Sequence, residues 1–352
     1  MDDIEANYSL QFIPSCDNGT EFRLTEASII GLPVLLGLIF VIGLFGDALV
    51  LYIVQKNKHI NILFFHIALA HLLLLLVCIP VLCVRYITSY EVAITDPLCK
   101  LVHFLTYVAV GVSVNCLVGI CLLKYIAITH PVDCMITSRH AVILAFFIWA
   151  TIGSANAPLL WYYKEADGDV CRLNPEHDYQ YLIFIGLTFG LDFALPVLTI
   201  CCITLGIAIQ VHRQEVHEGS TALRRTNKRF IRLVLSILLV FVLTWGPFHL
   251  AYLLAMFRVY DNACPKNAAV FNFAVVLGLS NTCLNPIVYH LASLEFRQAF
   301  WNTLRAMRTM GQAPTDHEAG LELRPLSGIF RQNNANVTSY SCRSPTSTTC
   351  PV

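Results

Sequence analysis

The sequence predicts an all-α membrane protein in which seven transmembrane helices form a bundle and a C-terminal amphipathic helix follows them. Of its 352 residues, 56% are hydrophobic and only 13% are charged, whereas a soluble globular chain carries about 25% charged residues. Seven apolar stretches each reach the roughly 20 residues that a helix needs to cross a bilayer. Most of them lack a polar face, which argues against a water-soluble bundle. The stretches are 28–54, 62–84, 97–129, 140–163, 179–211, 227–257 and 267–291, so that 28–291 is the expected bundle.

The charges between these spans predict how the bundle is oriented in the lipid bilayer. Lys and Arg collect in the first, third and fifth connections and after the last span, which places those segments on the cytoplasmic side. The opposite segments are acidic, so the N-terminal tail, residues 1–27, is expected to be extracellular. The basic residues are Lys56, Lys58, Arg139, Arg213, Arg224, Arg225, Lys228, Arg229, Arg232, Arg297, Arg305 and Arg308.

The N-terminal tail contains two N-glycosylation sequons, at Asn7 and Asn18. An extracellular location would expose both of them to glycosylation. The tail is too polar for a secretory signal, so the first span is expected to direct insertion into the membrane.

Four cysteines lie on the expected outer side, namely Cys16, Cys99, Cys171 and Cys264. An oxidising compartment permits disulfides among them, and four cysteines allow three pairings. A bridge between Cys99 and Cys171 would tether the fourth-to-fifth connection over the mouth of the bundle. Cys16 and Cys264 would then tie the tail to the last outer loop.

The segment after the seventh span reads as a membrane-surface helix over residues 292–306. Phe296, Ala299, Phe300 and Leu304 recur at helical spacing opposite basic residues, as in helices that lie in the membrane interface. Residues 307–352 are polar and are expected to be a disordered cytoplasmic tail. Phosphorylation of the Ser and Thr residues near its end would add negative charge that could recruit arrestin; a passive solvated tail is the alternative.

Several segments carry a family resemblance when they are taken in order. "IALAHLLLLLVCIP" (67–80), "FVLTWGPFHL" (241–250), "NTCLNPIVY" (281–289) and "SLEFRQAF" (293–300) follow one another at characteristic spacing. Together they resemble the second, sixth and seventh helices and the following amphipathic helix of rhodopsin-like (class A) G-protein-coupled receptors, over residues 30 to 305. The resemblance implies a multi-pass plasma-membrane receptor that couples to a heterotrimeric G protein. It implies no enzymatic activity and no cofactor.

The resemblance identifies residues in the sixth and seventh helices that occupy the family's switch positions. Asn285, Pro286 and Tyr289 occupy the Asn-Pro-x-x-Tyr positions, and Trp245 precedes Pro247 in the sixth helix. A proline removes a backbone donor and clashes with the preceding turn, which creates a kink where two halves of a helix can move.

The first and second helices depart from the family pattern. The family normally has Asn where this chain has Asp47 and Asp where this chain has His71. Ionisable groups inside a membrane are costly and are candidates for function. We hypothesise that Asp47 and His71 form a hydrogen-bonded or ion pair that is joined by Ser113, Asn281 and Asn285. A neutral, satisfied pair without a regulatory role is the alternative.

The cytoplasmic end of the third helix also departs from the pattern. Leu123, Lys124 and Tyr125 stand where the family has Asp or Glu, Arg and Tyr. Lysine is a compact, strongly hydrated charge without the planar fork of arginine, and Leu123 cannot restrain it. Thr204 and Asn227 replace a tyrosine and an acid of the same network. Either basal activity is raised by the missing lock, or coupling is weakened; the second outcome fits a decoy that binds a peptide or chemokine without signalling.

The ligand is expected to be an extracellular neuropeptide. Thr106 occupies the position at which amine receptors carry an aspartate, and the second, third and sixth helices look most like those of galanin, allatostatin-A and kisspeptin receptors. By carry-over from family positions, the expected ligand-binding residues are His103, Thr106, Tyr107, Asp192, Trp245, Phe248 and His249. A carboxylate such as Asp192 within the bundle needs either a ligand cation or an internal donor.

Other functional classes find little support in the sequence. A transporter or channel would show an internal repeat or a polar pore lining. An intramembrane enzyme would show a nucleophile with its base, and the scattered His66, His71 and His103 do not form the i, i+4 pair of a metal site. Neither a metal site nor a nucleic-acid partner is therefore expected.

Overall fold

The computed structural model describes residues 26–57, 61–88, 95–129, 138–166, 170–173, 178–217, 221–256 and 265–311. Seven helices within these ranges are long and apolar enough to span a membrane, which confirms the predicted bundle. By its internal contacts the chain divides into Met1–Leu304 and Arg305–Val352. Only 305–311 of the second unit is described.

The helices begin and end close to the predicted limits. We label the membrane-spanning helices α1 to α7 and the helix that follows α8. Three of the eight consist of more than one segment. Their bounds are α1 Glu26–Lys56, α2 Leu63–Ile87, α3 Asp96–Thr129, α4 Ser138–Asn156, α5 Asp178–Phe189 with Gly190–Ala194 and Leu195–His217, α6 Thr221–Met256, α7 Pro265–Leu279 with Asn281–Ala292, and α8 Leu294–Gly311.

Two helices contain a π-helical turn that the sequence analysis did not predict. In α2 the turn is Leu74–Cys78, and in α5 it is Gly190–Ala194. Each turn ends two residues before a proline, Pro80 in α2 and Pro196 in α5. A proline cannot donate to the preceding turn and its ring crowds that turn, and the wider π-helical turn accommodates this crowding.

The fourth helix is shorter than predicted because a proline follows it. α4 ends at Asn156, and a separate helical turn, Leu159–Tyr162, starts after Pro158. A residue that precedes a proline is disfavoured in the helical conformation. An antiparallel hairpin follows, in which β1 Tyr163–Ala166 pairs with β2 Val170–Leu173. This hairpin adds a small strand element to the predicted all-α fold.

The helix predicted to follow the seventh span begins at Leu294 rather than at residue 292, because Ser293 interrupts the helical backbone between α7 and α8. Its backbone is extended, and its hydroxyl accepts a 3.4 Å hydrogen bond from the amide of Phe296. A serine in this position caps the first turn of the next helix.

The third helix forms the centre of the bundle. It packs against α2, α4 and α5, while α1 packs against α2 and α7, and α6 packs against α5 and α7. In the most apolar window of α3, 72% of residues are buried, compared with 22% in α1 and α4. The outward faces of the peripheral helices carry exposed Leu, Ile and Phe side chains, as expected for surfaces in contact with lipid.

Candidate functional site

A cavity lies between α3, α5 and α6 near their predicted outer ends. Its empty volume is about 240 Å³ when the space that opens to solvent is included. Aromatic rings form most of its wall, and Thr188 and His249 contribute polar groups. The lining residues are Tyr107, Phe184, Ile185, Thr188, Phe189, Phe248, His249 and Tyr252. An apolar cavity with a few polar groups is the usual form of a ligand site.

His249 brings an unpaired polar atom to this cavity. Its imidazole packs against Phe193, with ring centroids 4.8 Å apart. The Nε2 atom is buried and has no hydrogen-bond partner among the described residues. A buried polar atom of this kind is costly unless a ligand or a water molecule satisfies it.

A hydrogen bond closes one side of the cavity. Tyr107 of α3 donates from its hydroxyl to the hydroxyl of Tyr252 in α6, at 3.0 Å. Phe248 packs edge-on against Tyr252, with ring centroids 4.8 Å apart. These contacts join α3 to α6 in the half of the bundle that holds the cavity.

Four of the seven expected ligand-binding residues do not line this cavity. His103 donates through Nδ1 to the carbonyl of Cys99 at 2.8 Å. The hydroxyl of Thr106 donates to the carbonyl of Val102 at 2.7 Å and lies 3.0 Å from Cys78 Sγ in α2. Both polar groups are therefore engaged with α2 or with their own helix.

Asp192 is a third residue outside the lining. It lies in the π-helical turn of α5 and is 1% exposed. Its carboxylate lies against Gly111 of α3, where an added β-carbon would collide with Asp192 Oδ1 and with Ile152 of α4. Neither carboxylate oxygen has a hydrogen-bond partner in the described part of the chain. No described internal donor therefore satisfies Asp192.

Trp245 is the fourth residue outside the lining, and it lies beneath Phe248. The two rings meet edge-on with centroids 5.6 Å apart. The indole rests on Gly278 of α7, so closely that a β-carbon at this glycine would lie 2.7 Å from Trp245 Cε3. Gly278 therefore provides the space in which the indole packs against α7.

A chain of polar side chains crosses the bundle below Trp245. Asp47 Oδ1 and His71 Nδ1 are 3.3 Å apart, and these residues are 0% and 1% exposed. His71 Nε2 lies 3.5 Å from Asn285 Nδ2, which also donates to Asn281 Oδ1 at 3.0 Å. Asn281 Nδ2 in turn donates to Thr244 Oγ1 at 3.2 Å. The chain links α1, α2, α7 and α6.

The hydrogen-bonding capacities fix the direction of this chain. An amide nitrogen only donates, so His71 Nε2 accepts from Asn285. The other ring nitrogen, Nδ1, therefore carries the hydrogen that is donated to Asp47 Oδ1. The structure brings Asp47, His71, Asn281 and Asn285 together as hypothesised. Ser113 lies apart, because its hydroxyl donates to the carbonyl of Val110 in its own helix at 3.1 Å.

Further polar atoms near this chain are unpaired. Asp47 Oδ2, Asn285 Oδ1 and the Tyr289 hydroxyl are buried and have no partner among the described residues. The Tyr289 ring stacks on Phe296 of α8, with centroids 5.2 Å apart. Pro286 meets α1 so closely that a β-carbon on Gly46 would lie 2.9 Å from its ring. Small and aromatic residues thus hold the lower part of α7 against α1 and α8.

At the end of α3 that is predicted to be cytoplasmic, none of the described residues forms an ion pair. Leu123 packs against the hydrophobic core, and Tyr125 lies against Gly206 of α5. Lys124 directs its ammonium to the face of the Phe230 ring in α6, with Nζ 5.7 Å from the ring centroid. This contact was not predicted.

The structure describes only part of the disulfides that were predicted for the outer side. Cys99 is disulfide-bonded, while the side chain of Cys171 is not described, so that their pairing stays a prediction. Cys16, Cys264 and the glycosylation candidates Asn7 and Asn18 lie outside the described residues.

The contributions of Phe184 and Thr188 in α5 and of Tyr252 in α6 to the cavity were not predicted from the sequence. Phe184 and Thr188 are four residues apart in α5, and Phe248 and Tyr252 are four residues apart in α6. Residues with this spacing share one face of a helix. Continuing the expected pocket by one helical turn from Phe248 would have found Tyr252.

Comparisons with known proteins assign the family. Residues 46–289 match the family described as 7 transmembrane receptor (rhodopsin family). Somatostatin receptor type 5 of Bos taurus is 30% identical over 315 residues, which cover 86% of this chain and 84% of that receptor. Galanin receptor type 1 of Rattus norvegicus is 27% identical over 296 residues, which cover 80% and 84%. The resemblance to class A receptors, and to galanin receptors among them, is confirmed; the similarity to somatostatin receptors was not anticipated. The chain belongs to the rhodopsin family of seven-transmembrane receptors.

Proposed function

We propose that this protein is a plasma-membrane receptor that binds an extracellular neuropeptide and activates heterotrimeric G proteins. The observation that carries the proposal is the aromatic cavity between α3, α5 and α6, in a chain whose relatives include receptors for somatostatin and galanin. The cavity offers a mostly aromatic wall and one buried polar atom without a described partner, His249 Nε2. A peptide side chain would enter between these rings as they move apart, while the rest of the peptide would contact the outer surface.

The charge distribution supports the proposed orientation. The described ends of the helices collect basic residues at one end of the bundle, including Lys56 in α1, Arg139 in α4 and Arg224 in α6. Short basic connections remain on the cytoplasmic side of a membrane. The cavity and the N-terminus then face the extracellular space, and Lys124 faces the cytoplasm.

The relay from the cavity to the cytoplasm would use the contacts described above. Phe248 joins the cavity wall to Trp245, and the adjacent Thr244 receives the hydrogen bond from Asn281. A peptide that displaced Phe248 would repack Trp245, and the kink at Pro247 would allow the lower part of α6 to move.

The test is peptide-stimulated G-protein activation in transfected cells at matched surface expression. Somatostatin- and galanin-type peptides, together with allatostatin-A- and kisspeptin-type peptides, provide the panel. Phe248→Ala and His249→Ala should lower the potency of an active peptide by at least about tenfold, since buried contacts of this kind carry much of the binding energy. Phe273→Ala is the matched control, because this ring in α7 is 54% exposed on the lipid-facing surface.

The outcomes separate the proposal from its alternatives. Loss of potency in both cavity variants with an unchanged control supports peptide binding in the cavity. Equal potency in all variants would place the ligand elsewhere. Binding of a peptide without G-protein activation would favour the decoy function, which the named relatives do not support. Recruitment of arrestin by the tail stays a prediction, because its Ser and Thr residues lie outside the described part of the chain.

A further inference from the structure

The contact between Lys124 and Phe230 joins the cytoplasmic ends of α3 and α6. Lys124 Nζ lies 5.7 Å from the centroid of the Phe230 ring, which is within the roughly 6 Å range of cation–π attraction. Both side chains are partly buried, so that less water competes with the interaction than at an open surface.

No described carboxylate provides an alternative ion pair for Lys124. Within the described residues, the ion pairs closer than 4.0 Å are His71 with Asp47 and Lys100 with Asp96. Glu295 of α8 interacts with Lys124 electrostatically from a longer distance. Phe230 is therefore the described group on α6 that attracts the ammonium, whereas Glu295 lies on α8.

Two buried polar groups, one in α6 and one in α5, favour separation of the helices. Asn227 lies three residues before Phe230 in α6, is 1% exposed, and has no partner for either amide atom among the described residues. The hydroxyl of Thr204 in α5 is buried and likewise unpaired within the described part of the chain. Movement of α6 away from α3 and α5 would hydrate both groups. An attraction is needed to hold α6 inward against this tendency.

We propose that Lys124 and Phe230 form a cation–π latch that holds the cytoplasmic ends of α3 and α6 together in the resting receptor. The latch performs with a lysine and an aromatic ring what an ion pair would do with two charges. The role of the latch in regulation rests on the proposed signalling function, whereas the contact between the two helices does not depend on it. A modest attraction of this kind leaves the closed state only weakly favoured.

The decisive test changes the electrostatics of the ring while hardly changing its size. Phe230 is replaced by phenylalanines that carry one, two or three ring fluorines, since fluorine withdraws the negative charge from the face of the ring that attracts a cation. Hydrogen exchange of the α6 amides between residues 224 and 233 is measured in purified receptor in lipid nanodiscs. Neither ligand nor G protein is present.

Exchange should become faster with each added fluorine, by about two- to thirtyfold over the series. The matched control is the same series with Lys124→Met, in which no cation is present and exchange should not depend on fluorination. Either a flat response with Lys124 present or an equal response in the Lys124→Met series would overturn the latch. Faster exchange in Glu295→Gln combined with a flat fluorine series would assign the tether to Glu295 instead.

The readout keeps the latch separate from the proposed function. A fluorine-dependent exchange rate in a receptor that activates no G protein would establish the latch and reject the signalling role. If the receptor does signal, Phe230→Leu should raise ligand-independent G-protein activation, while Phe230→Trp should preserve or lower it, because indole attracts cations more strongly.

Discussion

The buried pair of Asp47 and His71 gives an asymmetric prediction for stability. His71→Leu keeps the side-chain volume nearly constant but removes the only described donor to Asp47, whose Oδ2 is already unpaired. Asp47→Ala removes the acceptor instead and leaves an uncharged N–H of His71 without a partner. The first variant should therefore be destabilised more than the second.

The expected magnitudes follow from the burial of both groups. Removing one partner and leaving a buried charge costs about 3–5 kcal/mol, whereas leaving a neutral donor unpaired costs about 1–3 kcal/mol. For a chain of this size, 1 kcal/mol corresponds to about 2 °C in Tm. We expect Tm to fall by about 6–10 °C in His71→Leu. Adding Asp47→Ala to that variant should recover most of the loss, because the orphaned carboxylate is then gone.

Thermal unfolding can be followed with a thiol-reactive fluorogenic dye in detergent. Among the described residues, four free cysteines are buried and become reactive when the protein unfolds, namely Cys78, Cys116, Cys121 and Cys283. Equal shifts in the two single variants, with additive loss in the double variant, would refute the pairing. The exchange Asp47→Asn with His71→Asp should also be more stable than His71→Asp alone, which would bring two carboxylates together.

Two further predictions concern packing and a hydrogen bond between helices. Gly278→Ala should lower stability by about 1–3 kcal/mol through overpacking, because the new β-carbon would lie 2.7 Å from Trp245. The control is Gly186→Ala, whose new β-carbon would meet no atom within 4 Å, so that Tm should stay unchanged or rise slightly. A lower Tm in this control alone would contradict the argument. Trp149→Phe should lower the free energy of unfolding by about 0.5–1.5 kcal/mol, because the indole N–H donates to His66 Nδ1 at 3.3 Å. This loss of stability should vanish when His66 is first replaced by Leu. An equal loss in that background would show that the hydrogen bond contributes nothing.

The membrane explains why most of the fold could be predicted from the sequence. Every backbone polar group within a bilayer must be satisfied internally, so that a long apolar stretch has to be a helix. Departures from regular helix geometry were harder to predict. The π-helical turns before Pro80 and Pro196 leave the apolar pattern unchanged, whereas Pro158 was a visible signal that α4 ends before residue 163.

For the candidate sites, the sequence predicted which helix faces carry the residues but not where the side chains point. Tyr107, Phe248 and His249, which were chosen by family position, line one cavity, because they share the inner faces of α3 and α6. Family positions could not show that Asp192 turns towards Gly111, since this depends on how α5 is rotated by its π-helical turn. Likewise, Phe230 was invisible as a partner of Lys124 because the two residues are distant in sequence and their distance depends on tertiary packing.

The placement of Asp47 in α1 and His71 in α2 also explains how α6 joins the polar network through few hydrogen bonds. Asp47 and His71 satisfy one another at one end, which leaves His71 Nε2 to accept from Asn285. The second hydrogen of that amide is then available to Asn281, whose own amide reaches Thr244. Thr244 precedes Trp245 in the chain, so the network ends directly beneath the aromatic residues of the cavity. A change in either region must therefore be accommodated by the same turn of α6, the helix that also carries Phe230 nearer its N-terminal end.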